Sequence, residues 1–275
     1  MPIGREAQLP ERSACGVSSE ATNLPATTGF GGSEAAPIRG KRRCEHAQLT
    51  CYTRAMNSLT TNLLTVPVAV LSDIHGNLRA LEAVLMELKR RDITRIIVAG
   101  DLLLGGDEPL EVWRRLNELH ADLVRGMTDT ALTVLAPEKL VPKTPEEEAR
   151  RERFLQTRKD VGELVLKQVA KLPEQRRFPL ADGRELLVCH GSPRDASIDL
   201  SHDMDDMEME VMLGGDPADI VCSGGSHVCF DRTLDEQRVL GLGSVGQSPE
   251  GNVAHFVILS PRLEGTLIER GYIEF

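Results

Sequence analysis

The chain has 275 residues, 41% of them apolar, and a formal net charge of −10. That length accommodates one large α/β domain or two small ones, and aromatics at only 3% require an aliphatic core of Leu, Val and Ile. The acidic balance argues against a sequence-independent grip on a nucleic-acid backbone, so stable nucleic-acid binding is not expected; a small phosphorylated substrate stays compatible with it, because a bound cation reverses the local sign.

Residues 1–55 hold Gly-Gly, Thr-Thr and Ser-Ser pairs, scattered Pro and no sustained apolar periodicity. Their seven Lys and Arg against five Asp and Glu leave the acidic excess to the remainder. They read as a disordered N-terminal extension or as a mis-called start, with Met56 as the alternative initiator. Nothing has the length of a signal peptide or a membrane span, so a cytoplasmic protein without membrane association is expected, and homo-oligomerisation is left open.

Residues 66–275 read as one domain. A strand over 66–71 is followed by a helix over 78–91, whose apolar positions Leu78, Leu81, Val84, Leu85 and Leu88 recur at helical spacing above a basic end. A strand over 93–99, a helix over 109–120 with Pro in its first turn and a short strand over 122–125 come next. A charged helix over 145–171 carries a stripe of Phe154, Val161, Leu164, Val165 and Gln168. Gly183 marks a hairpin turn, and strands follow over 186–189, 220–222, 239–241 and 253–259. Between them lies an acidic helix start over 201–210, in a stretch from His190 to Asp219 long enough for a lid. Strands alternating with helices early, and a strand-rich second half, predict two sheets packed face to face with helices outside.

The polar residues that punctuate these strands carry the chemistry. Asp73 and His75 follow the first strand, two apart and so on one side of an extended chain. Asp101 follows the next, Asp129 lies beyond a third apolar edge, and His190 and His227 close two later strands. In α/β folds the carboxyl edge of the sheet is where ligands bind. A lone Asp after a strand is by default a cap or turn residue; this succession favours metal ligation, with Asp101 placed to bridge two cations. His46, His120, His202 and His255 read as ordinary residues.

Five segments in order, Asp73-Ile-His75-Gly-Asn77, Gly100-Asp101, Gly126-Met127-Thr128-Asp129, His190-Gly191 and Gly225-Ser226-His227, together with Gly243-Ser-Val-Gly-Gln247, resemble the calcineurin-like metallophosphoesterases, and more closely their small bacterial and archaeal phosphodiesterase branch. The resemblance runs from Pro67 to the C-terminus. It implies an α/β fold, a four-layer αββα sandwich with two packed mixed β-sheets. It also implies a first metal position held by Asp73, His75, Asp101 and His227, and a second held by Asp101 and His190. The second is depleted: Met127 stands where the family has Asn, and Gly225 where it has the first His of Gly-His-x-His. Thr128 replaces the His that serves the family as proton donor or transition-state contact, while Asp129 is kept. Met127 reads as packing, since thioethers bind hard cations poorly.

The implied activity is metal-dependent hydrolysis of a phosphodiester or nucleotide-type substrate by a metal-activated hydroxide, with a modified and potentially single-metal centre holding one or two divalent ions. A mixed N/O donor set suits Mn²⁺ first, then Fe²⁺ or Zn²⁺. Asp129, Thr128 and Arg194 are the candidate catalytic residues, Arg194 as a fork of donors for a substrate phosphate or else a surface ion pair. Asn77 either holds substrate or caps the following helix. Cys189, Cys222 and Cys229 read as small buried side chains, with a metal-ligand role left open for Cys189 and Cys229. His202, Asp203 or Asp205 are loop candidates for refilling the second position. The alternative is a non-catalytic binding or scaffold protein on the same fold.

Overall fold

The computed structural model describes residues 62–275; the expectations for residues 1–55, for Met56 and for His46 lie outside the described residues. In chain order these form β1 (Val68–Leu71), α1 (Leu78–Arg90), β2 (Arg95–Val98), α2 (Pro109–Glu118), β3 (Asp122–Leu123), α3 (Met127–Val134), a 3₁₀ turn (Pro137–Lys139), α4 (Pro145–Val169), β4 (Gln175–Pro179), β5 (Glu185–Cys189), α5 (Asp206–Leu213), β6 (Ile220–Ser223), β7 (Cys229–Leu234), β8 (Gln237–Leu242), β9 (Val253–Ser260) and β10 (Leu267–Glu274). Two mixed five-stranded sheets result, ordered β10-β9-β1-β2-β3 and β4-β5-β6-β8-β7. The expected α/β sandwich is the architecture observed.

Residue alternation explains the layers. In β1, Val68 and Val70 point into an apolar layer shared with Leu186 and Val188 of β5, Ile220 and Cys222 of β6 and Val257 of β9. Ala69 and Leu71 point the other way, among Leu81, Val84 and Leu88 of α1, Val112 and Leu116 of α2 and Phe154 of α4. A strand covered on both faces has no polar side to show, hence its unbroken apolar run. The far face of the second sheet, with Leu187, Val221 and Val239, is covered by Leu200 and by Met209 and Leu213 of α5. The stretch between His190 and Asp219, expected as a lid, is therefore largely the fourth layer.

Three strands escaped the pattern reading, β4, β7 and β10, and each is a sheet edge. An edge strand has one free flank and only part of one face to bury, so it need not be apolar. β4 buries only Phe178 along its length, and β7 only Phe230 and Leu234. The short helix α3 was also missed; its two buried side chains are Asp129 and Leu132.

Helix α4 departs from its expected stripe. Phe154 and Val161 are buried, but Leu164 is 72% exposed and Gln168 lies outside the core, while Leu166 and Val169 are buried instead. Gly162 is the cause: at φ 73° and ψ 165° it interrupts the helix and shifts the phase of everything after it. That conformation is essentially restricted to glycine. Gly162→Ala should lower unfolding free energy by about 1–3 kcal/mol, measured by chemical denaturation; an unchanged midpoint would mean that the helix runs through without a break.

Candidate metal centre

Both sheets end their parallel strands at one place. The turns after β1 and β2 are tied together by Asp73 N donating to Gly100 O (3.1 Å) and His75 N to Asp101 O (2.9 Å). Gly225 N, from the turn after β6, donates to Asp73 Oδ2 (3.1 Å), and Gly246 N, beyond β8, to Asp73 O (2.9 Å). Among the described residues, seven non-glycine residues have positive φ, and four of them are Asp73, His75, Asp101 and His227. Such residues are uncommon, and each costs about 1–3 kcal/mol unless its surroundings enforce it.

The side chains converge in two overlapping groups, Asp73 with His75 and His227, and Asp73 with Asp101 and His190. All three imidazoles are oriented alike. His75 Nδ1 lies 2.7 Å from Leu104 O, His227 Nδ1 2.9 Å from Gln247 O, and His190 Nδ1 2.8 Å from Ala99 O. A carbonyl only accepts, so each Nδ1 carries the proton and each Nε2 turns its lone pair inward. His75 Nε2 and His227 Nε2 stand 3.1 Å apart. Asp73 Oδ1 is 3.1 Å from the latter and 3.6 Å from the former, and Asp101 Oδ2 is 3.9 Å from His75 Nε2. The other oxygen of Asp101 lies 3.3 Å from His190 Nε2, so its two oxygens face the two groups, as a bridging carboxylate requires.

Four acceptor atoms pointing at one another repel unless something positive joins them. Asp73 Oδ1 and His190 Nε2 are fully enclosed without a hydrogen-bond partner. A divalent cation fits both donor sets, and the backbone carbonyls behind the imidazoles are the outer support such ligands use. Without a cation, protons take that place. Burial acts against a charged His190, but Asp101 and Asp73 outweigh it and lift its pKa to about 10. Asp73 raises His227 likewise, against its partial burial. Burial by itself would raise Asp73, yet His227, His75 and His190 hold its carboxyl well below the usual range.

The remaining candidates are dispersed. Asp129 is fully buried, accepting from Leu102 N (3.0 Å) and Gly126 N (3.1 Å); burial, and then Asp101, push its pKa up to about 6. Thr128 N donates to Asp101 Oδ1 (2.8 Å), and its Oγ1 is enclosed without a partner. Arg194 is exposed, its guanidinium donating to Val211 O (3.3 Å) at the end of α5, on a groove of about 390 Å³ shared with Gly126, Met127 and Thr130. Met127 is 44% exposed there, a correction to its reading as packing.

Asn77 Oδ1 accepts from Ala80 N (3.0 Å) and so caps α1. Asp205 caps α5, and exposed His202 pairs with Asp203 (3.2 Å). Cys189 donates to Gly191 O (3.1 Å) and burial pushes its thiol up to about 12, far from a thiolate ligand. The carbonyls of Ala99, Leu104 and Gln247 leave no trace in residue identity. Neither does Asp199, which the loop after β5 brings to the same edge.

Residues 66–262 match the model of the calcineurin-like phosphoesterase superfamily domain. The chain is 29% identical over 211 residues to the uncharacterised protein MJ0912 of Methanocaldococcus jannaschii, covering 71% of this chain and 83% of that one. Among solved structures it is similar to the hypothetical protein PH1004 of Pyrococcus horikoshii, with TM-score 0.65 and 20% identity, covering 76% of this chain and 88% of that one. A metallophosphoesterase of Sphaerobacter thermophilus is also similar, with TM-score 0.59 and 22% identity over 75% and 88% of the two chains.

The raised histidine pKa values make cation uptake proton-linked. Protonation of His190 stabilises the cation-free fold fully below the ordinary value of 6.5, and that contribution is lost as pH rises through about 10. Near neutral pH, cation uptake should therefore release protons, and affinity should fall as pH falls. Calorimetry in buffers of differing ionisation enthalpy measures the release; a buffer-independent heat would show imidazoles already neutral.

Proposed function

The chain belongs to the calcineurin-like phosphoesterase superfamily, and on that premise we propose that it is a metal-dependent phosphoesterase acting on a phosphodiester or nucleotide-type substrate. The observation that supports this most directly is the pair of inward-facing imidazole nitrogens 3.1 Å apart, flanked by the carboxylates of Asp73 and Asp101. Two carboxylates with two imidazoles suit Mn²⁺, which we favour over Fe²⁺ or Zn²⁺. A divalent cation there supplies Lewis acidity, which makes water nucleophilic near neutral pH and neutralises phosphoryl charge.

The protein's own groups hold this arrangement and receive the substrate. The Leu104 and Gln247 carbonyls fix the tautomers of His75 and His227. Asp129 is a positioning residue: by accepting from Gly126 N and Leu102 N it joins the turn that carries Thr128 to the turn that carries Asp101. Thr128 Oγ1, at the start of α3, is enclosed and unpartnered, and we assign it as the hydroxyl that rotates to donate to a phosphoryl oxygen when substrate binds. An alcohol is a far weaker acid than an imidazolium, so this centre lacks proton donation at that position, a contribution worth roughly 10²–10⁴ in rate. Arg194 lines a groove beside the turn that carries Thr128, and we assign it to a substrate's remaining anionic groups.

One observation favours a binding role as the second reading. An apolar groove of about 450 Å³, lined by Leu104, Leu135, Leu140, Val141 and Phe154 among others, opens beside the turn whose carbonyl orients His75, and Val141 is 73% exposed. Such patches mark binding surfaces, whether for a substrate's organic moiety or for a partner.

The proposal is tested by incubating Mn²⁺-loaded protein with phosphomonoesters, phosphodiesters and dinucleoside polyphosphates. Hydrolysis is expected, abolished by Asp73→Ala and reduced about 10²–10³-fold in kcat by Thr128→Val, the usual effect of one lost donor. A loaded protein that releases nothing from the panel would leave the binding role.

A further inference from the structure

The second group of ligands is short of donors. Asp73, Asp101 and His190 converge on it, and Gly225 contributes no side chain. The space beside Gly225 is nevertheless filled: a β-carbon built there would overlap Asp199 Oδ1. Asp199 comes from the loop after β5, three residues beyond Ala196 and next to Leu200, which is anchored in the apolar layer under α5. The loop is closed by Ser192 N donating to Ile198 O (2.7 Å) and Ile198 N to Asp195 O (3.1 Å), so the carboxylate is held by a folded turn.

Asp199 has no structural use for its position. Its Oδ1 is enclosed without a hydrogen-bond partner, and none of the cations of the described residues forms an ion pair with it. An uncompensated enclosed carboxylate is costly. This one also sits within the field of two others, Asp73 and Asp101, and of His190 and His227. His190 Nε2, on a side chain 1% exposed, has no hydrogen-bond partner either. Asp199 and His190 thus each leave an acceptor without a partner at this sheet edge, with Asp101 Oδ1 3.3 Å from His190 Nε2 and Asp199 standing just outside the two converging clusters.

We propose that Asp199 is a ligand of a second divalent cation, held together with Asp101 and His190, and that it fills in space the place left by the glycine at 225. The centre is then dinuclear, with a carboxylate from a loop substituting for a side chain missing from the β6 turn. The donor set is richer in oxygen than the first position, which favours Mn²⁺ there over a softer ion. This rests on the metal-dependent reading above.

The test is Mn²⁺ binding to the full chain, by equilibrium titration with elemental analysis and by electron paramagnetic resonance, in the wild type, Asp199→Asn, Asp199→Ala and Asp73→Ala. Asp199 Oδ1 has no hydrogen bond to lose, so the Asn and Ala variants should keep the cation-free melting temperature or raise it. The wild type should bind two equivalents with an exchange-coupled spectrum. Both Asp199 variants should weaken the second equivalent at least 10- to 100-fold and give the uncoupled six-line spectrum of an isolated ion. Two coupled ions in the Asp199 variants, or a single ion in the wild type, would overturn the proposal while leaving the phosphoesterase reading intact. No bound ion in the wild type would overturn both, and the Asp73→Ala variant separates loss of the first position from loss of the second.

Discussion

The crowding of like acceptors at one sheet edge is the constraint on which the rest depends. Asp73 and Asp101 are nearly or wholly buried, and the imidazoles beside them present lone pairs. Four residues bearing these groups sit in a backbone conformation that ordinary side chains avoid. Nothing local favours this arrangement. It is imposed by two apolar layers, one between the sheets and one under α1 to α4, whose burial contributes about 1.5–3 kcal/mol for each fully enclosed aliphatic side chain. The core is what permits a strained, charged edge to persist, and a cation that binds the native state would add to that stability by mass action.

Much of this was legible in the residues because the interior strands are covered on both faces. The strands before Asp73, Asp101 and His190 are almost wholly apolar, and the polar residue that follows each one within three positions is conspicuous; His227 follows its strand across a Gly-Gly-Ser turn. The edge strands β4, β7 and β10 were not legible for the converse reason: a strand with a solvent flank has no compositional obligation. The phase shift in α4 was hidden because a glycine in a charged helix looks like a weak helical residue, and only its backbone angles show that it ends one segment and begins another.

At the site, residue type pointed to the side chains that converge but not to their support. The carbonyls that set the three tautomers belong to Ala99, Leu104 and Gln247, and any residue at those positions offers the same atom. Asp129 was recognisable as polar at a ligand edge, and its contact with Gly126 N has the three-residue spacing of a helix cap, but its other amide partner, Leu102 N, lies 27 positions away, a distance no spacing rule spans. Asp199 lies in a loop with several other acids, among which identity alone makes no distinction; Asp205 turned out to cap a helix and Asp203 to pair with a neighbouring histidine. What separates them is which carboxylate lacks a partner.

The candidate ligands are divided between the sheets: Asp73, His75 and Asp101 follow strands of one, His190 and His227 strands of the other. A cation held there would therefore clasp two sheets that otherwise meet through an apolar layer and through polar contacts such as Arg176 of β4 with Asp122 and Leu123 O of β3. Val70 and Val188 lie deep in the layer between them, so a change in side-chain volume there would displace the two halves of the candidate centre relative to one another. With such a centre in place, tolerance to variation in the interior would be limited by the chemistry at the rim.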